Sequence, residues 1–512
     1  MKNPKVDTAL HIIKGAIQKV LGTKLTTGTF GDESKGRLTV EFDRKPTQDE
    51  IDEIERLANA KINEDVPVKI HVLERDAAEK KYGRIIYDKF EVPKHITQLS
   101  VLDIENWNLN CCNGKHTKTT GEVGSIKIRK TDFRNSKKEL EIGFEVMEEQ
   151  KLDKDIERRL ALIKEVGEEI VTEEELIELL TKKKKFIAYD GFEPSGQIHI
   201  AQGILRAINV NKMIKAGAHF KMWVADWFGL LNNKMGGDLN KIRVVGEYFI
   251  EVWKASGMDL KNVEFVWTSE FIKEHPEYWE TVMKLSMNST IQRVLRCGQI
   301  MGREESLSNP AAQVLYPLMQ ASDIHHLEAD IAQLGMDQRK VNMLAREVFP
   351  KLGYKKPISI SHHMLMGLQQ PVSEEKDTKD RAIELKMSKS KPDTAIFMTD
   401  TEEDIKRKMG KAWCPEKEVK ENPIMEYYRY IVFEKFDTVE IKRPEKFGGD
   451  LKVKGYDNLA SLYSEGKIHP MDLKNTCAVY INELVDPVRL HFETDARAKK
   501  LKEQVASFQV TR

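Results

Sequence analysis

Phe186-Ile187-Ala188-Tyr189-Asp190-Gly191-Phe192-Glu193-Pro194-Ser195-Gly196-Gln197-Ile198-His199-Ile200-Ala201-Gln202-Gly203 is the stretch on which the reading of this chain turns. Its first seven residues have the pattern of a buried strand, the glycines that follow make a turn, and a helix is expected from about Gln202 to Ala216. Strand, glycine-containing turn and helix form the first unit of a parallel sheet, where nucleotides bind between strand C-termini and helix N-termini. Phe220 to Asp226 and Val263 to Trp267 read as further strands, the alternation of an α/β architecture. Alone, His199 reads as a packed or turn histidine.

A second stretch reverses that reading. Leu385-Lys386-Met387-Ser388-Lys389-Ser390-Lys391-Pro392-Asp393 carries lysines flanked by serines, and ammonium groups on flexible stems follow charge as it shifts among phosphate oxygens. The two stretches together look like a split ATP site. Tyr316, Gln320 and Asp323 stand at i, i+4 and i+7. On a helix they share one face, which reads equally as a polar ligand site or as a solvent-facing stripe.

With 512 residues the chain exceeds a single core, so two or three domains are expected. Its 82 basic and 82 acidic residues balance, so any nucleic-acid contact must be a local patch. The five cysteines are few and scattered, which argues against a disulfide framework and for a reducing compartment. The first residues lack a signal peptide's apolar core, and no run reaches the roughly eighteen apolar residues of a bilayer span, so a cytosolic protein without membrane contact is expected.

In the first 148 residues, Thr8 to Leu21 and Thr47 to Lys61 have helical periodicity, the first with Asp7 as a cap and the second opening on a capping box. Strands are expected near 38–42 and 66–73, giving an α+β domain. Asp7 and His11 lie four apart on a helix, and Cys112 and His116 form a second short pair. These four are of types that bind zinc in a tetrahedral site. They read equally as a cap, a packed histidine and buried small residues. A charged boundary follows from Glu148 to Glu157, and the lysine run 182–185 suits a helix C-terminus.

Asp7-Thr8-Ala9-Leu10-His11, Cys112-Asn113-Gly114-Lys115-His116 and Thr120-Gly121-Glu122-Val123-Gly124 resemble the freestanding alanyl-tRNA editing domains, over roughly Thr8 to Val146. That resemblance implies a zinc held by Asp7, His11, Cys112 and His116 that helps to hydrolyse a mischarged aminoacyl ester. Asp7 stands where the family carries histidine.

His199-Ile200-Ala201-Gln202 and Lys386-Met387-Ser388-Lys389-Ser390 resemble the paired signatures of class I aminoacyl-tRNA synthetases, with Gln202 in place of the second histidine. The implied catalytic set is His199, Gln202, Lys386 and Lys389. Tyr189, Tyr316, Gln320, Asp323 and Gln338 match the amino-acid pocket of tyrosyl-tRNA synthetases of the archaeal and eukaryotic-cytosolic type. The resemblance assigns Tyr189 and Asp323 to a phenolic hydroxyl and the other three to an α-ammonium group. The segments around Lys442 to Asp450 and His469 to Asn475 match that family's anticodon-binding part. They imply Phe447 stacked on the first anticodon base, Asp472 paired with that base, and Arg339 at the acceptor stem.

The resulting expectation is a multidomain chain. It has an α+β editing-like domain over 1–148, a Rossmann-like α/β catalytic domain over 149–395 with its lysine loop at 386–390, and a mainly α-helical anticodon-binding domain over 396–512. Such an enzyme joins tyrosine, ATP and tRNA(Tyr), and the family implies a homodimer. The alternatives are a tryptophanyl-tRNA synthetase, against which the polar Tyr189 and Asp323 argue, and a non-catalytic RNA-binding scaffold.

Overall fold

The computed structural model describes residues 3–23, 25–147, 152–298, 310–371, 385, 387 and 392–508. The chain divides into two compact units, Met1–Leu152 and Asp153–Arg512.

The first unit is α+β. Its Pro4–Leu21 helix starts on Asn3, whose side chain accepts from the Lys5 N–H, with proline in the first turn and Gly22 closing the end in the left-handed region. Asn3 therefore does the capping expected of Asp7, which sits inside the first turn. The Gln48–Asn63 helix carries the expected capping box of Thr47 and Glu50. Strands β1 (Thr26–Asp32), β2 (Lys35–Glu41), β6 (Ser125–Arg134) and β7 (Glu139–Met147) form an antiparallel sheet in the order β1-β2-β7-β6. Strands β3 (Val68–Glu74), β4 (Gln98–Ile104) and β5 (Asn108–Cys111) form a second. The core buries Ile13, Ile17, Ile54, Leu102, Ile142 and Phe144. Gly15 is required there, because a Cβ would meet the Trp107 ring at 2.3 Å, and that indole donates to the Ile12 carbonyl at 2.9 Å.

The second unit is built on six strands: β8 (Gly167–Val171), β9 (Phe186–Phe192), β10 (Ala218–Val224), β11 (Val263–Trp267), β12 (Ile331–Gly335) and β13 (Ile358–His362). Their order is β11-β10-β9-β12-β13-β8, all parallel except β8. The chain runs outward from β9 to β11 on one side and returns as β12 and β13 on the other. The crevice outside the C-terminal ends of β9 and β12 is thus the topological switch point, where open parallel sheets bind ligands. After Pro392 the chain is mostly helical, with helices Glu402–Lys411, Pro423–Tyr427, Tyr456–Ser464, Pro470–Thr494 and Ala496–Ser507, and a hairpin of β14 (Thr438–Ile441) and β15 (Leu451–Lys454).

His363, just past β13, ties this helical part to the sheet. Its Nε2 lies 3.0 Å from Glu426 and its Nδ1 3.4 Å from Glu168 on β8, while the ring stacks on Tyr430 with centroids 4.1 Å apart. Burial alone would lower its pKa, but the two carboxylates outweigh burial and raise it from 6.5 to about 9. A raised folded pKa contributes stability that is complete below the unfolded value and is lost as pH rises through the folded one. The melting temperature is therefore expected to fall between pH 6.5 and about 9. His363→Gln should flatten that window and remove at most about 3 kcal/mol below it, as read by thermal denaturation against pH.

Candidate active site

The turn after β9 is held by chain from far downstream. Ile200 N–H donates to the Ile396 carbonyl at 2.8 Å and Met398 N–H to the Ile198 carbonyl at 3.0 Å, with His199 and Phe397 paired between them. Gly203 fits because it has no side chain: a Cβ would lie 2.6 Å from Met398 Cγ and Sδ. The helix begins as one wide turn, Ala201–Leu205, in which Leu205 N–H reaches the Ile200 carbonyl at 3.1 Å. Gln202 is fixed through its backbone carbonyl, which accepts from Trp253 Nε1 at 2.7 Å, while its side-chain oxygen is buried without a hydrogen-bond partner.

The segment after β13 gathers the ends of the lysine loop. Gly367 N–H donates to the Leu385 carbonyl at 2.7 Å and Leu368 N–H to the Thr394 carbonyl at 2.9 Å. Lys386, Lys389 and Lys391 themselves lie outside the described residues.

Tyr189, Tyr316, Gln320, Asp323 and Gln338 converge from β9, from the Ala312–His326 helix and from the turn after β12. The solvent-facing alternative for the helix face is excluded, since Tyr316, Gln320 and Asp323 are all buried, Asp323 to 1% exposure. One end of the pocket is phenolic and acidic. Burial pushes the Asp323 carboxyl well above its ordinary pKa, opposed by the hydrogen bond from Tyr278 and by the nearby Trp223 indole. Tyr278 OH lies 2.6 Å from Asp323 Oδ1 and 2.8 Å from the Met319 carbonyl. The Tyr189 phenol is buried and makes no hydrogen bond of ordinary geometry; burial, then Asp323 and Asp190, push its pKa up.

The other end carries amides and a carboxylate. Gln320 Nε2 donates to Gln338 Oε1 at 3.1 Å, and Tyr316 OH donates to Glu193 Oε1. Asn232 Nδ2 also reaches the Glu193 carboxylate, at 3.2 and 3.1 Å. This polarity suits a ligand with a hydroxyl at one end and a cation at the other. Glu193 and Tyr278 belong to the pocket without having been read from the sequence. Glu193 had a signal, being the one carboxylate in the glycine turn, whereas Tyr278 had none.

In the first unit, donor atoms of His11, Cys112 and His116 lie within 4.8 Å of one another. His11 Nδ1 donates to Asn108 Oδ1 at 2.9 Å, which leaves Nε2 as the ligating nitrogen. Burial lowers both histidines, His11 to about 4, and keeps them neutral. Asp7 does not join the mutual set, so the expected four become three. Its buried Oδ2 and the buried His116 Nε2 nonetheless lack partners, and both lie beside Gly114, whose Cβ would meet them at 2.8 and 3.3 Å.

The remaining candidates lie apart from the pocket's interior. Arg339 pairs with Glu169. Phe447 is 62% exposed, with Lys446 Nζ 4.9 Å from its ring centroid. Asp472 lies in the first turn of Pro470–Thr494, where His469 rather than Asp472 caps by accepting from Met471 N–H at 3.1 Å. Lys442 N–H donates to Thr476 Oγ1 at 3.2 Å, which fixes the Phe447 hairpin against that helix.

Residues 181–486 match the profile of the class I tRNA synthetases (W and Y). The chain is 49% identical over 395 residues to tyrosine–tRNA ligase 1, cytoplasmic, of Arabidopsis thaliana, covering 77% of this chain and 97% of that protein. The Leishmania major tyrosyl-tRNA synthetase in complex with tyrosinol is 43% identical with a TM-score of 0.64, over 70% of this chain and 53% of that one, so this chain matches about half of its length. The Pyrococcus horikoshii tyrosyl-tRNA synthetase complexed with L-tyrosine is 38% identical with a TM-score of 0.64, over 69% and 100%.

Replacing a helical glycine by alanine ordinarily stabilises by about 0.4–1 kcal/mol. Gly203→Ala should instead destabilise by about 1–3 kcal/mol, because the added carbon overlaps Met398 and parts two packed segments. Thermal denaturation checks the sign.

Proposed function

This chain belongs to the class I tRNA synthetases of the tryptophan and tyrosine group, and we propose on that premise that it is the tyrosine enzyme. It is a tyrosine–tRNA ligase: tyrosine's carboxylate attacks the α-phosphorus of ATP, pyrophosphate leaves, and the tyrosyl group passes from the adenylate to tRNA(Tyr). The observation that carries this reading is the buried phenol–carboxylate end of the pocket facing an amide–carboxylate end.

In this proposal Tyr189 and Asp323 take the substrate hydroxyl, and Tyr316, Gln320 and Gln338 take its ammonium group. Phenylalanine would leave Asp323 without the substrate's donor, and a site built for a hydroxyl rejects the analogue lacking it, tyrosine against phenylalanine being the known example of this rule. His199 and Gln202 hold the nucleotide, Lys386 and Lys389 close on the polyphosphate, and the protein acts by positioning and charge stabilisation. Magnesium, when bound with ATP, neutralises the leaving pyrophosphate.

Arg339, Phe447 and Asp472 are proposed as tRNA contacts, the aromatic ring stacking on an exposed base and the carboxylate accepting guanine protons. The catalytic part is proposed to end near 395, with the helical part from 396 as the anticodon-binding domain. A homodimer is supported by exposed Trp279, Met283 and Met287, four apart on the Tyr278–Met287 helix, and by exposed Ile291 at the start of the next helix. Among the described residues no helix is long and apolar enough to cross a membrane, and cytoplasmic residence follows the naming of the Arabidopsis relative.

A second reading concerns residues 1–148 as an editing-like domain. The orphaned His116 Nε2 and Asp7 Oδ2, with neutral His11 and Cys112 nearby, fit a divalent metal in chemistry. Donors within 4.8 Å would draw in toward the roughly 3.5 Å separations that tetrahedral zinc implies. Zinc bound there would supply a Lewis acid toward an ester, with His11 held in its tautomer by Asn108.

Tyrosine-dependent ATP–pyrophosphate exchange is expected, and its absence would sink the enzyme reading. Asp323→Ala should lower the preference for tyrosine over phenylalanine by at least about a hundredfold in that assay. For the second reading, metal analysis of the full chain should give near one zinc per chain that disappears in Cys112→Ala; no metal in the unaltered chain rejects it.

A further inference from the structure

Asp323 has a neighbour that the proposed reaction does not use. Tyr278 opens the Tyr278–Met287 helix, outside the sheet, and is itself fully buried. Its hydroxyl is placed between Asp323 Oδ1 at 2.6 Å and the Met319 carbonyl at 2.8 Å, and it has one proton to give. The shorter contact goes to the carboxylate, and a hydrogen bond to a carboxylate is stronger than one to a carbonyl. His326, with its ring centroid 5.2 Å from that of Tyr278, donates or accepts with Thr281 at 3.0 Å and so is engaged elsewhere.

We propose that Tyr278 is a positioning residue for amino-acid selection: its hydroxyl occupies one oxygen of Asp323 and reserves the other for the substrate's phenol. The inference rests on the tyrosine reading of the pocket. Two consequences follow from the geometry. With Oδ1 held by Tyr278, the carboxylate is oriented and its second oxygen is left to accept from the substrate. The donor also favours the ionised carboxylate against the desolvation that pushes it toward the neutral acid. An ionised oxygen stranded by phenylalanine is penalised far more than a neutral acid would be. Selectivity against phenylalanine is thus set partly by a residue that never touches the substrate.

The experiment compares the unaltered full chain, Tyr278→Phe, Asp323→Asn and the double variant in ATP–pyrophosphate exchange with tyrosine and with phenylalanine. Tyr278→Phe is expected to lower the tyrosine-to-phenylalanine ratio of kcat/KM by about tenfold or more, mostly through KM for tyrosine, with KM for ATP unchanged. In the Asp323→Asn background the same substitution should change the ratio less than about twofold, because the two act as one unit. The acid limb of kcat/KM for tyrosine should also move to higher pH in Tyr278→Phe, since the donor that favours the carboxylate is gone. An unchanged ratio, or equal losses in both backgrounds, overturns the proposal.

A measurement independent of Tyr278→Phe folding is far-downfield proton NMR. The unaltered chain should show a phenolic proton that shifts on adding tyrosine and vanishes in Asp323→Asn. Its failure to respond to tyrosine also overturns the proposal. Failure of the underlying reading looks different: the unaltered chain would show no tyrosine-dependent exchange at all.

Discussion

Two backbone hydrogen bonds, Ile200 to Ile396 and Met398 to Ile198, join stretches about two hundred residues apart, and the geometry of the turn that carries His199 depends on them. Closing so long a loop carries an entropic cost, which grows only slowly with length and is offset by sheet-like pairing and close packing. The packing is close because Gly203 admits Met398 into contact with the helix backbone. The turn that carries His199 and the segment that leaves the lysine loop therefore move as one piece. Both ends of that loop are fixed by further backbone bonds at Leu385 and Thr394.

The pocket on the other side of β9 is governed by burial. Three phenols, two carboxylates and two amides shielded from solvent would destabilise any site that left them unpaired. The protein meets this by pairing them with one another, Tyr278 with Asp323, Tyr316 with Glu193 and Gln320 with Gln338. Tyr189 is the exception, its hydroxyl being buried without a hydrogen-bond partner. Preorganisation of this kind explains why the residues are buried rather than displayed on a surface.

Much of the fold was legible because local rules and tertiary packing agreed. The capped helix Gln48–Asn63 begins and ends within about two residues of the 47–61 span where its capping box and periodicity put it. Agreement was weaker where two side chains compete for one cap. Asn3 displaced Asp7, since a cap is chosen by the backbone angle at the boundary and not by residue type alone. Strands β12 and β13 gave little signal: each has five residues, buried almost throughout, with no alternation to separate strand from helix.

The sequence by itself determined the candidate site residues, their helical spacing and the strand–turn–helix that opens the parallel sheet, because these are written over a few consecutive residues. Tertiary structure alone decided which of them are paired. Tyr278 and Asp323 are 45 residues apart, and Glu193 and Tyr316 are 123 apart. No periodicity links such positions. Their chemistry follows from how far each is buried and which donor arrives beside it, and both depend on how the helices pack against the sheet.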